Sequence, residues 1–277
     1  MKYGISASTF PTRQRPATFG DGDPSRHLAA LRGLGYDGID LFARPMANAY
    51  LERLRRSLAD TGMCVSVLFP VVVFEDGWCL SDPDPGRRRE AVRLFDSQTD
   101  VAGLLGAKIV LGLDRGRPID GEPFAAFEER LAESLAAVAA HADQAGVPIV
   151  LEPIHRYLPA AFQRVDQCLD FLDRRRLASV QLLLDTFHMN IEERSFEAAI
   201  RLAGRRIGHV HVVENNRGAP GEGHLPLREI LKAIVATGYE GYLSVETEPR
   251  DEPLEVAERA IAILRGIVSG LQKEHQP

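Results

Sequence analysis

The chain has few cysteines, few lysines and no long apolar run, and each shortage removes a class of protein. Cys64, Cys79 and Cys168 make an odd total with no CxxC spacing, so they supply neither a disulfide framework nor a cysteine zinc site. Lysine occurs only at positions 2, 108, 232 and 273, and the formal charge is −6. That balance, with a pI near 5.8, argues against the basic stripe of a nucleic-acid surface, and no nucleic-acid partner is expected. The arginine-heavy positive charge reads as coding preference, and the clusters 87–89 and 174–176 read as solvated helix faces. No apolar run approaches the length of a membrane span, so no membrane partner is expected. The opening MKYGISASTF lacks a signal-peptide apolar region, which makes a cytoplasmic, reducing location the expectation. With no Ser/Gly linker or low-complexity stretch, residues 1–277 are expected to form a single domain.

What the chain does have is 45% hydrophobic residues, enough for a large core, arranged as short apolar runs alternating with amphipathic stretches. The strands predicted are Tyr3–Ala7, Gly38–Phe42, Met63–Leu68, Lys108–Leu113, Val147–Glu152, Val180–Asp185, Ile207–Val213 and Tyr242–Glu246. The helices predicted are Ser25–Leu34, Ala47–Thr61, Pro85–Leu105, Pro123–Ala145, Val165–Leu177, Phe196–Leu202, Leu227–Thr237 and Pro253–Leu271. Gly35, Gly62, Gly106, Gly146 and Gly238 follow helical runs at the position where a helix ends on glycine. Eight strand–helix units of this kind predict an α/β fold, a single (β/α)8 TIM barrel, with a doubly wound open sheet as the competitor.

Four strand ends carry groups able to do chemistry. LLLDTFHMNIEE turns from apolar residues to Asp185 and then His188; VPIVLE ends in Glu152, GYLSVE in Glu246, and IGHVHVV carries His211. Each has an ordinary reading beside the functional one. Glu152 pairs with an arginine such as Arg156; Asp185 caps the next turn; His211 is a satisfied core histidine; Glu246 is a strand-end carboxylate. Together they favour a closed barrel, because strand ends spread across an open sheet at about 4.8 Å spacing cannot share one ion. Three carboxylates and an imidazole suit Mn²⁺, Mg²⁺ or Co²⁺ better than structural zinc. His209 shares a strand face with His211 and is expected deeper in the barrel. Arg217, on a Gly/Pro-rich loop, reads as a fork onto substrate oxygens or as a surface salt bridge. His188 is favoured as a substrate hydrogen bond.

At these residues the chain resembles the xylose isomerase-like TIM-barrel superfamily of sugar isomerases and epimerases, in its ketose 3-epimerase and hydroxypyruvate isomerase-like branch. LDTFHMNIEE and HVHVVENNRGAPGEGHL carry the resemblance most specifically. It implies that Glu152, Asp185, His211 and Glu246 bind one divalent metal ion and that His188 and Arg217 hold a small sugar substrate. It further implies that Glu152 and Glu246 exchange a proton with carbon through a metal-stabilised enediolate. One stretch departs from the family pattern. Where ketose epimerases carry Asn and a second Glu after the Glu of the fifth strand, this chain has His155 and Leu158. His155 is accordingly expected at the substrate, and the apolar Leu158 is expected to change which hydroxyl pattern is accepted.

Three other readings remain open from sequence. A dehydratase of keto-inositols or dehydroshikimate would keep the fold and metal but lose water. An apurinic endonuclease-type phosphodiesterase would need more histidines than this chain supplies. A sugar-binding barrel would not need both glutamates. The family's dimers and tetramers make a homodimer or homotetramer the expectation, with Phe69–Trp78 as lid or interface. Phe10, Trp78 and Phe187 are candidate pocket walls.

Overall fold

Buried strands and amphipathic helices alternate and close into a parallel barrel in the computed structural model, which describes residues 1–10, 17–18, 23–248 and 252–274. The barrel strands are β1 (Lys2–Ser8), β2 (Gly38–Ala43), β3 (Cys64–Pro70), β4 (Lys108–Leu111), β5 (Ile149–Leu151), β6 (Gln181–Asp185), β7 (Ile207–His211) and β8 (Tyr242–Val245). Successive strands pair in parallel, and β1 pairs with β8, Ile5 lying opposite Val245, so the ring closes. Residues 17–18 add a short parallel pairing beside the end of β1. The TIM barrel read from the sequence is the fold, and the open sheet is excluded by the β1–β8 pairing.

Eight helices cover the outside: α1 (Pro24–Leu34), α2 (Asn48–Thr61), α3 (Pro85–Leu105), α4 (Phe124–Ala145), α5 (Val165–Arg174), α6 (Phe196–Ala203), α7 (Leu227–Ala236) and α8 (Pro253–Glu274). Local chemistry sets their ends. Asp23 and Asp84 cap α1 and α3 by accepting from Ser25 N and Arg87 N, each followed by proline in the first turn. Gly35, with φ +101°, ends α1 in the left-handed region that an L side chain rarely enters. Among the described residues no helix is long and apolar enough to cross a membrane.

Because side chains alternate across a strand, each strand has one face toward the helices and one toward the barrel interior. The interior takes Phe42, Val67, Phe69, Val110, Val150 and Leu183, which form an apolar cluster separate from the larger one under the helices. Two residues further along β5 and β6 the same inward face presents Glu152 and Asp185. On β7 and β8 it presents His209 then His211, and Ser244 then Glu246. The period of two therefore stacks the polar strand ends directly on the interior core.

Two short helices were not legible in the sequence. Thr186–Glu192 is too brief for a helical period, and the β-branched run in Val71–Glu75 shows none. The first starts where Asp185 caps it. The second breaks the stretch expected as lid or interface. Strand β4 also stops at Leu111, two residues before the sequence reading, and the chain turns over Leu113–Arg115.

Candidate metal centre and substrate cavity

Glu152, Asp185, His211 and Glu246 meet at the C-terminal mouth of the barrel, all buried, with ligand atoms lying within 4.8 Å of one another. His211 Nδ1 stands 3.2 Å from Glu246 Oε2, 3.6 Å from Asp185 Oδ2 and 4.0 Å from Glu152 Oε1. It makes a well-aligned hydrogen bond with none of them. Ligands about 2.1 Å from an octahedral ion stand about 3 Å apart when adjacent and about 4.2 Å apart when opposite. The observed spacings fall in that interval, and the oxygen-rich set with one imidazole is a donor set for a hard divalent ion. The residues present fit such an ion.

Asp185 puts its two oxygens to different uses. Oδ1 caps Thr186–Glu192, accepting from Phe187 N at 2.7 Å and His188 N at 3.2 Å, while Oδ2 turns into the centre. The cap locks the carboxylate's rotamer, so the helix that follows the strand aims the ligand. It also brings His188 to the mouth, which explains the three-residue spacing in LDTFH.

Arg217 reaches the same point from the loop after β7. Its Nη1 donates to Asp185 Oδ2 at 3.1 Å and Glu246 Oε2 at 2.8 Å, its Nη2 donates to His188 Nε2 at 3.1 Å, and the guanidinium lies 4.4 Å from the Phe187 ring centre. The surface salt-bridge reading is therefore excluded. The loop is built for this task. Buried Glu214 accepts from Gly221 N and Leu225 N, Asn215 accepts from His224 N, and Asn216 accepts from Gly218 N. Those bonds tie the whole ENNRGAPGEGH stretch, and Arg217 sits at its turn with φ +60°.

The electrostatics are those of crowded carboxylates short of positive charge. Burial, then the neighbouring Glu246 carboxylate, pushes Glu152 up to about 8. Burial works against ionising Asp185 as well, but Arg217, His188 and His211 together outweigh it and hold that carboxyl well below its ordinary range. Burial pushes His188 down to about 3 despite Asp185, so its ring is neutral, with Nε2 accepting from Arg217.

Above these residues opens a cavity of about 170 Å³, lined by Glu152, His188, Arg217 and Glu246 on its polar side. Phe10, Phe42, Phe69, Ile154 and Leu158 contribute to its apolar side, Phe42 and Phe69 stacking at 3.9 Å. Drug-sized sites run to about 300–1,000 Å³, so this one takes a small ligand. Phe10 is a wall as expected; Trp78 is not, lining a different surface depression. Phe187 stands behind Arg217 instead of on the wall. His155 also lies outside the cavity lining, packed edge-on to His188 at 4.7 Å and to Phe187 at 5.3 Å, so it backs His188 where the sequence reading had it touching substrate. Arg156 does not pair with Glu152 but with Glu192, at 2.8 Å.

Two residues escaped the sequence reading. Asp114 is a buried cavity-lining carboxylate raised to about 7 by burial, which the backbone N–H groups of Gly112 and Asp114 only partly offset. Its signal was the familiar one, an acid just past an apolar strand, hidden by extending that strand through Leu113. Asp40, in the middle of GYDGIDLF, gave no such signal, yet it lies fully buried beside His211.

Fold and centre together define the class: a (β/α)8 barrel with a candidate carboxylate–histidine metal centre at the mouth of its strands. The chain belongs to the xylose isomerase-like TIM barrel family, whose model it matches over residues 28–267. It is 31% identical over 244 residues to L-ribulose 3-epimerase of Mesorhizobium japonicum, covering 87% of this chain and 81% of that one. It is 30% identical over 239 residues to D-psicose 3-epimerase of Ruminiclostridium cellulolyticum, covering 83% of this chain and 79% of the relative. A solved structure of an L-ribulose 3-epimerase superposes with a TM-score of 0.85 at 26% identity, covering 100% of this chain and 99% of that one.

Proposed function

We propose that this protein is a divalent-metal-dependent epimerase or isomerase of a small ketose. The observation that carries the reading is the convergence of Glu152, Asp185, His211 and Glu246, with both glutamates reaching the wall of one small cavity. These four residues would hold the ion. When bound, it supplies a Lewis acid that draws electron density from a carbonyl and makes the neighbouring carbon–hydrogen bond acidic. Glu152 and Glu246 then act as the two ends of a proton exchange, one removing the proton from carbon and the other returning it. Return to the same carbon from the other side gives the epimer; return to the adjacent carbon gives the isomer. Neutral His188 and cationic Arg217 orient the substrate's oxygens. The apolar side formed by Phe10, Phe42 and Phe69 excludes water and packs the carbon skeleton.

Leu158 sets this site apart from the ketose epimerase pattern. A hydroxyl that a glutamate would bind faces an apolar side chain here, which favours a ketose lacking or not presenting that hydroxyl. The test is proton NMR in D₂O with the Mn²⁺-treated, then Mg²⁺-reloaded protein and a panel of four-, five- and six-carbon ketoses. Deuterium entering at the carbon beside the carbonyl, lost in Glu246→Gln, is the expected result. No exchange on any ketose from a protein that holds its metal would overturn the proposal. Loss of water, read from product mass, would replace it with a dehydratase.

A further inference from the structure

The two ring nitrogens of His211 face different surroundings. Nδ1 looks toward the three carboxylates, whereas Nε2 lies 3.1 Å from Asp40 Oδ2, in a bent contact at the bottom of the site. Asp40 comes from β2, across the barrel, and is completely buried. His209 Nε2 bonds to the same Oδ2 at 3.0 Å, and Oδ1 accepts from Ser244 Oγ at 3.0 Å and from Ser66 Oγ. Strands β3, β7 and β8 thus each send at least one side chain to the single carboxylate that β2 supplies. Gly4, on β1, leaves the room that Ser244 occupies, since a Cβ there would collide with the serine hydroxyl.

Asp40, His209 and His211 also form a cluster with metal-ligand geometry. A cation there is disfavoured by the bonding already present. In the His209–Asp40 hydrogen bond of 3.0 Å the ring nitrogen is the donor and has no lone pair for an ion, and the two serines use the other oxygen. The hub is a hydrogen-bonded anchor.

We propose that Asp40 is a positioning residue that keeps the proton of His211 on Nε2 and its ring in one orientation, leaving the Nδ1 lone pair for the divalent ion, while His209, Ser66 and Ser244 hold Asp40 itself. This rests on the metal-centre reading above. A histidine ligand whose second nitrogen is oriented by a carboxylate has a fixed tautomer and greater basicity, and loss of such a partner typically weakens metal binding about 10–100-fold. Nothing in the reaction requires Asp40 to touch substrate, and it does not line the cavity.

The experiment measures Mn²⁺ binding to the whole protein by the electron paramagnetic resonance signal of free Mn²⁺, without reference to activity. It is paired with ¹⁵N NMR of the histidine rings in the Mg²⁺-saturated protein. Asp40→Asn is expected to weaken Mn²⁺ binding about 10–100-fold and to shift the His211 ring away from a single Nε2–H form. Ser244→Ala, which removes only one donor to Asp40, is expected to give a smaller change in the same direction. Unchanged affinity and an unchanged ring pattern in Asp40→Asn would overturn the proposal while leaving the metal centre intact. Should Asp40→Asn fail to fold, unchanged affinity and ring pattern in Ser244→Ala would overturn it instead. A wild-type protein that binds no Mn²⁺ would overturn both this inference and the metal-centre reading beneath it.

Discussion

Replacing Arg217 by methionine separates two jobs that one side chain performs. Methionine keeps a long flexible stem while removing the guanidinium. That group lies 3.1 and 2.8 Å from Asp185 and Glu246, with only 15% of its side chain exposed. Removing one partner of a buried ion pair costs about 3–5 kcal/mol, because the carboxylates are left uncompensated. Domains of about 150–250 residues lose about 2–4 °C in Tm per kcal/mol, and this slightly longer chain belongs at the lower end. The metal-free Tm is therefore expected to fall by about 6–10 °C. With a divalent ion bound, the ion supplies the missing positive charge. What is then lost is packing and the contact with Phe187, about 1 kcal/mol or about 2 °C. The difference between the two states must reappear in metal affinity, since the cycle closes: Arg217→Met should bind Mn²⁺ more tightly by about 2–4 kcal/mol, on the order of 30- to 1,000-fold. Thermal unfolding in EDTA and in saturating Mn²⁺, with a direct Mn²⁺ titration, measures all three quantities. Equal losses in both states, with unchanged Mn²⁺ affinity, would refute the account of Arg217 as the charge that stands in for the ion.

Leu158→Glu restores the carboxylate of the ketose epimerase pattern at the cavity wall. It is expected to raise kcat/KM for a fully hydroxylated six-carbon ketose about 10–100-fold relative to an analogue lacking the contacted hydroxyl. A ratio that does not move would remove Leu158 from the account of specificity. Far from the cavity, Glu128 on α4 is 5% exposed and is gripped by Arg174 Nη2 at 2.9 Å and Arg175 Nη2 at 2.8 Å. The hydrogen bonds from Arg174, then those from Arg175, outweigh burial and lower its pKa. A depressed carboxylate stabilises the fold above its unfolded value of about 4.3, and the contribution disappears as pH falls through the folded value. Glu128→Gln should cost about 2 kcal/mol at pH 7 in urea unfolding and progressively less below about pH 4, with catalysis unchanged. A cost that stays constant across that range would show that charge is not what Glu128 contributes.

The arginine run 174–176 shows where sequence patterning stops being informative. It read as a solvated face, and Arg174 is indeed half exposed, but both Arg174 and Arg175 close onto a buried glutamate some 46 residues earlier in the chain. Which acid a surface arginine meets is fixed by where the fold brings the end of α5 beside the start of α4, and neither helix carries a local sign of the other. His155 failed for a related reason. Its position after a functional strand made it a candidate for the substrate, but the backbone beyond Glu152 turns its ring behind His188. A strand end fixes the direction of its own last side chain; it does not fix residues in the turn that follows.

The sequence by itself determined the barrel and which four residues converge as its candidate metal centre. Alternating apolar runs and glycine-ended helices encode eight repeated units, and the period of two along a strand places Glu152, Asp185, His211 and Glu246 on the inward face. Those are local properties, carried by a few neighbouring residues. Only the tertiary structure decided what surrounds them. Closure of β1 on β8 completes the ring around the site, the loop tied by Glu214 drives Arg217 between two carboxylates, and Asp40 arrives from β2 to take hold of His211. Each of these contacts joins residues far apart in the chain, where distance and orientation come from packing and no sequence period records them.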